Sequence, residues 1–214
     1  MKRFIPISMF ISVFLWACSF ENAPAKDPII SKIKQHNLVI GLYPLGQFDS
    51  LHLQLLKQEV EQFYGYDAVI LKGSPLPKSA YYKPRNRYRA DLLLNYLLQI
   101  RQKEVDYIVG LTQKDISCTN DPYPDWGVFG YGFMPGKSCV ISTFRLKMGA
   151  KSESHLRERL SKVVIHELGH NFGLEHCVNP SCIMRDAEGT IKSVDTEQKS
   201  LCASCKKKLQ LLMK

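Results

Sequence analysis

The 214-residue sequence has no apolar run long enough to cross a bilayer comfortably, no low-complexity tract and no internal repeat at a fixed period. These absences set aside a spanning helix, a disordered linker and a solenoid. The chain also lacks any readable nucleic-acid motif. Its formal charge of +9, or 9 − 2 = +7 without Lys2 and Arg3, is dispersed over Lys83, Arg85, Arg87, Arg89 and the run Lys206 to Lys208. That pattern reads as a solvated face or weak attraction to anionic surfaces, and no nucleic-acid partner is expected. What is present, 45% hydrophobic and 23% charged residues, is the composition of one globular domain whose core needs no staples.

Lys2-Arg3 and the apolar FIPISMFISVFLWA behind them have the charged start and short hydrophobic stretch of a secretory signal. The stretch ends in Leu15-Trp16-Ala17-Cys18, which resembles the lipobox of bacterial lipoproteins and makes Cys18 a candidate for lipidation and membrane attachment. Ordinary cleavage after Ala23-Pro24-Ala25 would instead leave a soluble periplasmic or secreted chain. Residues 1–25 are therefore expected to be a leader with a short linker, and residues 26–214 the folded domain of an exported protein. Seven cysteines, an odd number, need placing in such a protein: Cys18, Cys118, Cys139, Cys177, Cys182, Cys202 and Cys205. If Cys18 carries lipid and the last four hold a metal, Cys118 and Cys139 remain as a possible disulfide, with two buried thiols as the alternative.

Leu38 to Tyr43 reads as a buried strand, the helical repeat from Leu51 stops at Gly65, and Asp67 to Leu71 is a second strand. After a Gly- and Pro-marked loop, Tyr88 to Arg101 is helical, and Tyr107 to Leu111 is a third strand. Strands alternating with helices predict a largely parallel α/β sheet. Trp126 to Gly132 and Cys139 to Phe144 are further strands around a Pro-Gly turn, the first a candidate antiparallel edge. A helix is expected from about Ser154 into HELGH, and another from about Thr196 to Met213.

His166-Glu167-Leu168-Gly169-His170 places two histidines one helical turn apart on one face, so both imidazoles reach one zinc while Glu167 lies beside the open position. Gly173 follows where the chain must leave the helix, with positive φ expected, and returns His176 as a third ligand. Three histidines leave one position for water, as in a catalytic zinc, with Glu167 as the general base. His36, His52 and His155 lack such partners and read as surface or capping residues. Cys177 and Cys182, with Cys202-x-x-Cys205 on the tail, match a closed tetrahedral zinc site that ties the tail to the catalytic loop. Two disulfides are the alternative. In an extended segment His176 can face one metal and Cys177 the other.

The whole string, His166-Glu167-x-x-His170-x-x-Gly173-x-x-His176-Cys177, four residues, Cys182-x-Met184, seventeen residues, Cys202-x-x-Cys205, resembles the archaemetzincin family of zinc metalloproteases over about forty residues. The resemblance implies a metzincin-like (zincin) α/β fold: a twisted mixed sheet, mostly parallel, an active-site helix carrying HExxH, and a small C-terminal subdomain tied by a structural zinc. It implies two zinc ions, one catalytic on His166, His170 and His176 and one structural on the four cysteines. It also implies Glu167 as base, Met184 as the Met-turn beneath the catalytic metal, and a peptide or unstructured polypeptide as substrate, paired with the antiparallel edge by strand addition. The alternative of another class is a non-catalytic, zinc-stabilised peptide-binding or envelope protein on the same scaffold. The intact Glu167 speaks for the enzyme, because a purely structural site needs no base.

Overall fold

Residues 38–187 and 189–213 are described by a computed structural model; the expected leader, with Cys18, and His36 lie outside the described residues. The expected alternation of strand and helix opens the fold. Strand β1 (Val39–Pro44) leads to helix α1 (Ser50–Tyr64), whose Asp49 cap accepts from the Leu51 and His52 amides, and Gly65 then turns the chain into β2 (Asp67–Ile70). Strands β3 (Tyr81–Tyr82) and β4 (Arg87–Arg89) precede α2 (Ala90–Ile100), which is followed by β5 (Tyr107–Thr112), β6 (Ile116–Asn120), β7 (Tyr123–Val128), β8 (Gly130–Gly132) and β9 (Ser138–Ser142). Four helices complete the chain: α3 (Thr143–Leu146), α4 (Glu153–Asn171), α5 (Ile191–Thr196) and α6 (Ala203–Leu212).

The main sheet has the order β2-β1-β5-β9-β8, parallel throughout except for β8, which is antiparallel to β9. Alternation of side chains across the strands divides the core in two. Val109, Leu111 and Ile141 pack with Leu56 and Val60 of α1 and Leu160, Val164 and Leu168 of α4, whereas Ile108 and Val140 pack with Leu93, Leu94 and Leu97 of α2. Each of these buried aliphatic side chains stabilises the fold by about 1.5–3 kcal/mol relative to exposure. Leu209 of α6 joins the same core as α1 and α4, so the tail docks on the main body.

Several expectations are corrected. Trp126 to Gly132 is not one strand: β7 belongs to a second sheet of order β3-β4-β6-β7, and only β8 forms the antiparallel edge of the main sheet. The chain changes sheets at Phe129, whose carbonyl accepts from the Ser142 amide at 2.9 Å. Strand β6 was not foreseen, and the helix expected from Tyr88 starts later because Tyr88 pairs with Ile116 in the second sheet. Phe144 lies in α3, capped by the Ser142 hydroxyl, rather than in a strand. The tail is two helices, because Gln198 and Ser200 between them pair with the backbone of Ser181 and Ile183. Arg87 and Arg89 are not a solvated face: Arg87 pairs with Asp115 at 3.1 Å and Asp125 at 3.3 Å, and Arg89 with Asp91 at 3.3 Å. His52 is buried and meets Glu153 at 2.7 Å. Cys118 and Cys139 are buried free thiols on strands of different sheets, not a disulfide.

Candidate metal centre and active-site cleft

Helix α4 begins at the Ser152 cap, which accepts from the His155 amide, and sinks until its last two turns are almost entirely buried. His166 and His170 occupy the expected face. Their Nδ1 atoms lie 2.7 Å from the Ile183 carbonyl and 2.8 Å from the Leu174 carbonyl, so in the neutral tautomer each ring donates there and presents Nε2 to its neighbours. Gly173, at φ +92°, reverses the chain after the helix, as only glycine does without strain. His176 returns with its Nε2 3.2 Å from that of His170, which in turn is 3.0 Å from that of His166. A tetrahedral zinc at about 2.0–2.1 Å from each nitrogen requires separations of roughly 3.3 Å, so the three imidazoles fit one ion. Burial and the neighbouring rings hold His166 at about 3, which keeps it neutral and free to ligate.

Two further contacts fix this geometry. The completely buried Met184 lies under Gly169, where an added Cβ would come within 2.4 Å of its sulfur, so the helix and the turn can approach only across a glycine. The Tyr64 hydroxyl donates to the Ile165 carbonyl at 2.6 Å and anchors the same helical turn to α1. Glu167 packs against β8, where a Cβ at Gly130 would lie 2.7 Å from its carboxylate. Burial alone lifts the Glu167 carboxyl to about 8. The imidazoles and Glu167 form one wall of a cleft of about 600 Å³ that runs between β8 and the segment Arg185 to Glu197.

The four C-terminal cysteines converge separately. All are free thiols, with their sulfurs within 4.8 Å of one another and Cys177 and Cys202 3.7 Å apart. Zinc–sulfur bonds of about 2.3 Å give tetrahedral edges of roughly 3.8 Å, so this group can hold a structural zinc, and the disulfide alternative is not what the structure contains. Burial raises the Cys202 thiol, but hydrogen bonds from the Cys205 amide and the neighbouring thiols outweigh it and bring Cys202 down to about 7. Burial pushes Cys205 up. All seven donors picked out by spacing thus lie in two groups, with His176 in one and Cys177 in the other. Gly169, Tyr64, Asp186 and Glu197 were not singled out by the sequence. Asp186, 3.4 Å from His176 Nδ1, and Glu197, on the cleft wall, belong to no motif, and only the fold brings them to the site.

A sequence model of peptidase family M54 matches residues 55–211. The chain belongs to this family. The archaemetzincin of Methanopyrus kandleri is 34% identical over 158 residues, covering 74% of this chain and 86% of that protein. That of Haloquadratum walsbyi is 30% identical over 179 residues, covering 80% of this chain and 99% of the relative. The crystal structure of the M. kandleri archaemetzincin superimposes with a TM-score of 0.72 at 29% identity, covering 84% of this chain and 97% of that one. The archaemetzincin of Archaeoglobus fulgidus, solved in complex with malonate, gives 0.68 at 27% identity, covering 80% and 99%. The fold is that of an archaemetzincin, and the chain is a zinc metallopeptidase.

Proposed function

We propose that this peptidase hydrolyses peptide bonds in small or unstructured polypeptides, with His166, His170 and His176 holding the catalytic zinc and Glu167 as general base. The observation that carries the proposal is the convergence of three imidazoles, two of them pinned through Nδ1, beside a buried carboxyl at the wall of an open cleft. Zinc on three neutral imidazoles supplies Lewis acidity toward the scissile carbonyl and makes water more acidic. Glu167 accepts a proton from the attacking water and passes it to the leaving amine. Without a metal, burial lifts this carboxyl to about 8, and a dication bound beside it would favour the carboxylate that accepts the proton. The substrate backbone pairs with the outer edge of β8, whose Gly130, Tyr131 and Gly132 border the cleft. Met184 is the floor beneath the imidazoles.

Cys177, Cys182, Cys202 and Cys205 hold a second, structural zinc, a reading supported by the sulfur spacing. The leader-like residues and Cys18 support an envelope location, with attachment through lipid or release after Ala25; the mass of the mature chain separates the two. The function is tested with a broad peptide library on wild type and Glu167→Ala, with metal content read on the same samples. Cleavage should fall by about 10²–10⁴-fold in the variant with zinc retained. A zinc-loaded wild type that cleaves nothing, like its variant, would leave only a non-catalytic zinc protein.

A further inference from the structure

One wall of the cleft is fastened to α4 by buried side chains. Arg159, almost fully buried on α4, makes a two-pronged pair with Asp195 of α5 at 2.7 and 2.8 Å and also donates to the Leu146 carbonyl at 2.8 Å. The buried Lys162 ammonium donates to the Val194 carbonyl at 3.0 Å and pairs with Glu158 at 3.1 Å. Helix α5 is thereby fastened along α4, and the residue that follows it, Glu197, is fixed by its amide bond to the Ser193 carbonyl at 3.0 Å. Glu197 is 5% exposed, yet it borders the cleft.

The Glu197 carboxyl has no hydrogen bond within the described residues; Lys162 and Arg185 act on it only through space, and the Lys162 ammonium is already engaged. Its oxygens are not sealed from solvent, so they face the cleft, where a group that enters the site can reach them. Val163, Val194, Ala187 and His166 line the same cleft, so Glu197 shares it with apolar wall and with the imidazole cluster. Apolar walls ending in a carboxylate suit a side chain with an aliphatic stem and a cationic head. A cationic head stabilises the ionised form of a carboxyl that burial otherwise lifts to about 8, and a purely apolar side chain would leave that carboxyl unpaired.

We propose that Glu197 is a specificity-determining residue, which selects a lysine or arginine side chain of the substrate in the cleft that Val163, Val194 and His166 also line. The proposal rests on the peptidase reading and adds the chemical class that one subsite takes. The peptide's ammonium or guanidinium displaces water and forms the charge-assisted hydrogen bond that Glu197 lacks.

The experiment compares kcat/KM for peptides that carry lysine, norleucine or glutamate in turn at each position flanking the scissile bond. Wild type should favour lysine over norleucine at one position by about tenfold or more, the size of one charge-assisted hydrogen bond. Glu197→Gln should bring that ratio close to one, and Glu197→Lys should turn the preference toward glutamate. A lysine preference that survives Glu197→Gln, or a uniform loss for all three peptides with the ratio retained, would overturn the proposal. Binding of the same peptides to zinc-loaded Glu167→Ala, read by fluorescence anisotropy, separates this from failure of the peptidase reading. There a lysine preference abolished by adding Glu197→Gln supports the subsite even without turnover, and absence of that preference removes it.

Discussion

The imidazole cluster and the thiol cluster are joined through adjacent residues, His176 and Cys177, yet they differ in every property that governs what a metal can do. The first has three imidazole donors at a cleft, with the His176 side chain 48% exposed. The second has four thiols, of which Cys182 and Cys205 are buried. Neutral ligands leave the charge of a dication to act on a substrate, whereas four thiolates outweigh it and close the coordination sphere. On the proposed reading, one loop serves chemistry and anchorage at once. The Cys177 amide donates to the Met184 carbonyl at 2.7 Å, and the Ile183 amide, next to Cys182, donates to the Ser200 carbonyl at 2.9 Å, while the Ile183 carbonyl orients His166.

The largest effect should come from removing half of the thiol cluster. Replacing Cys202 and Cys205 together with serine should cost one zinc per chain and lower Tm by about 20 °C or more, since structural zinc contributes on the order of 10 kcal/mol. An unchanged melt would mean that the thiols anchor nothing.

Metal removal should expose the opposite built-in tensions of the imidazole side. In the zinc-free protein Glu167 is raised from 4.5 to about 8, so the folded state keeps a proton that the unfolded chain releases, and stability falls as pH rises through that window. His166 is lowered from 6.5 to about 3, so stability also falls as pH drops below 6.5. Thermal melts of His176→Ala, which keeps the thiol site, should therefore peak between about pH 4.5 and 6.5, with losses of a few kcal/mol on either side. A profile that rises steadily toward pH 8 would contradict a buried, unpaired Glu167.

Smaller changes probe the junction. Cys177→Ser should reduce activity by about 10- to 100-fold by loosening His176 as well as the tail, and normal activity with normal zinc content would show the two sites to be independent. Gly169→Ala should destabilise by about 1–3 kcal/mol in thermal melts, because its methyl group meets the Met184 sulfur.

The donors were legible because their spacing is local: a helical turn separates His166 from His170, and Gly173 reverses the chain to His176. The first β-α-β unit was legible for the same reason. The second sheet was not, because β4 pairs with β6 in parallel across α2 and β5, and β6 is short with a polar outer end. Cysteine arithmetic failed for Cys118 and Cys139 because oddness of number says nothing of which strands bring sulfurs together. Glu197 carries no motif, and only the docking of α5 on α4 through Arg159 and Asp195 makes it part of the cleft.

The most direct test of two sites of different character is a zinc count by native mass spectrometry on wild type, His176→Ala and Cys182→Ser, with free thiols titrated after unfolding in chelator. Two zincs in wild type are predicted, with the loss in His176→Ala confined to the imidazole site and that in Cys182→Ser greatest at the thiol site. One zinc in wild type with no titratable thiols would contradict the account.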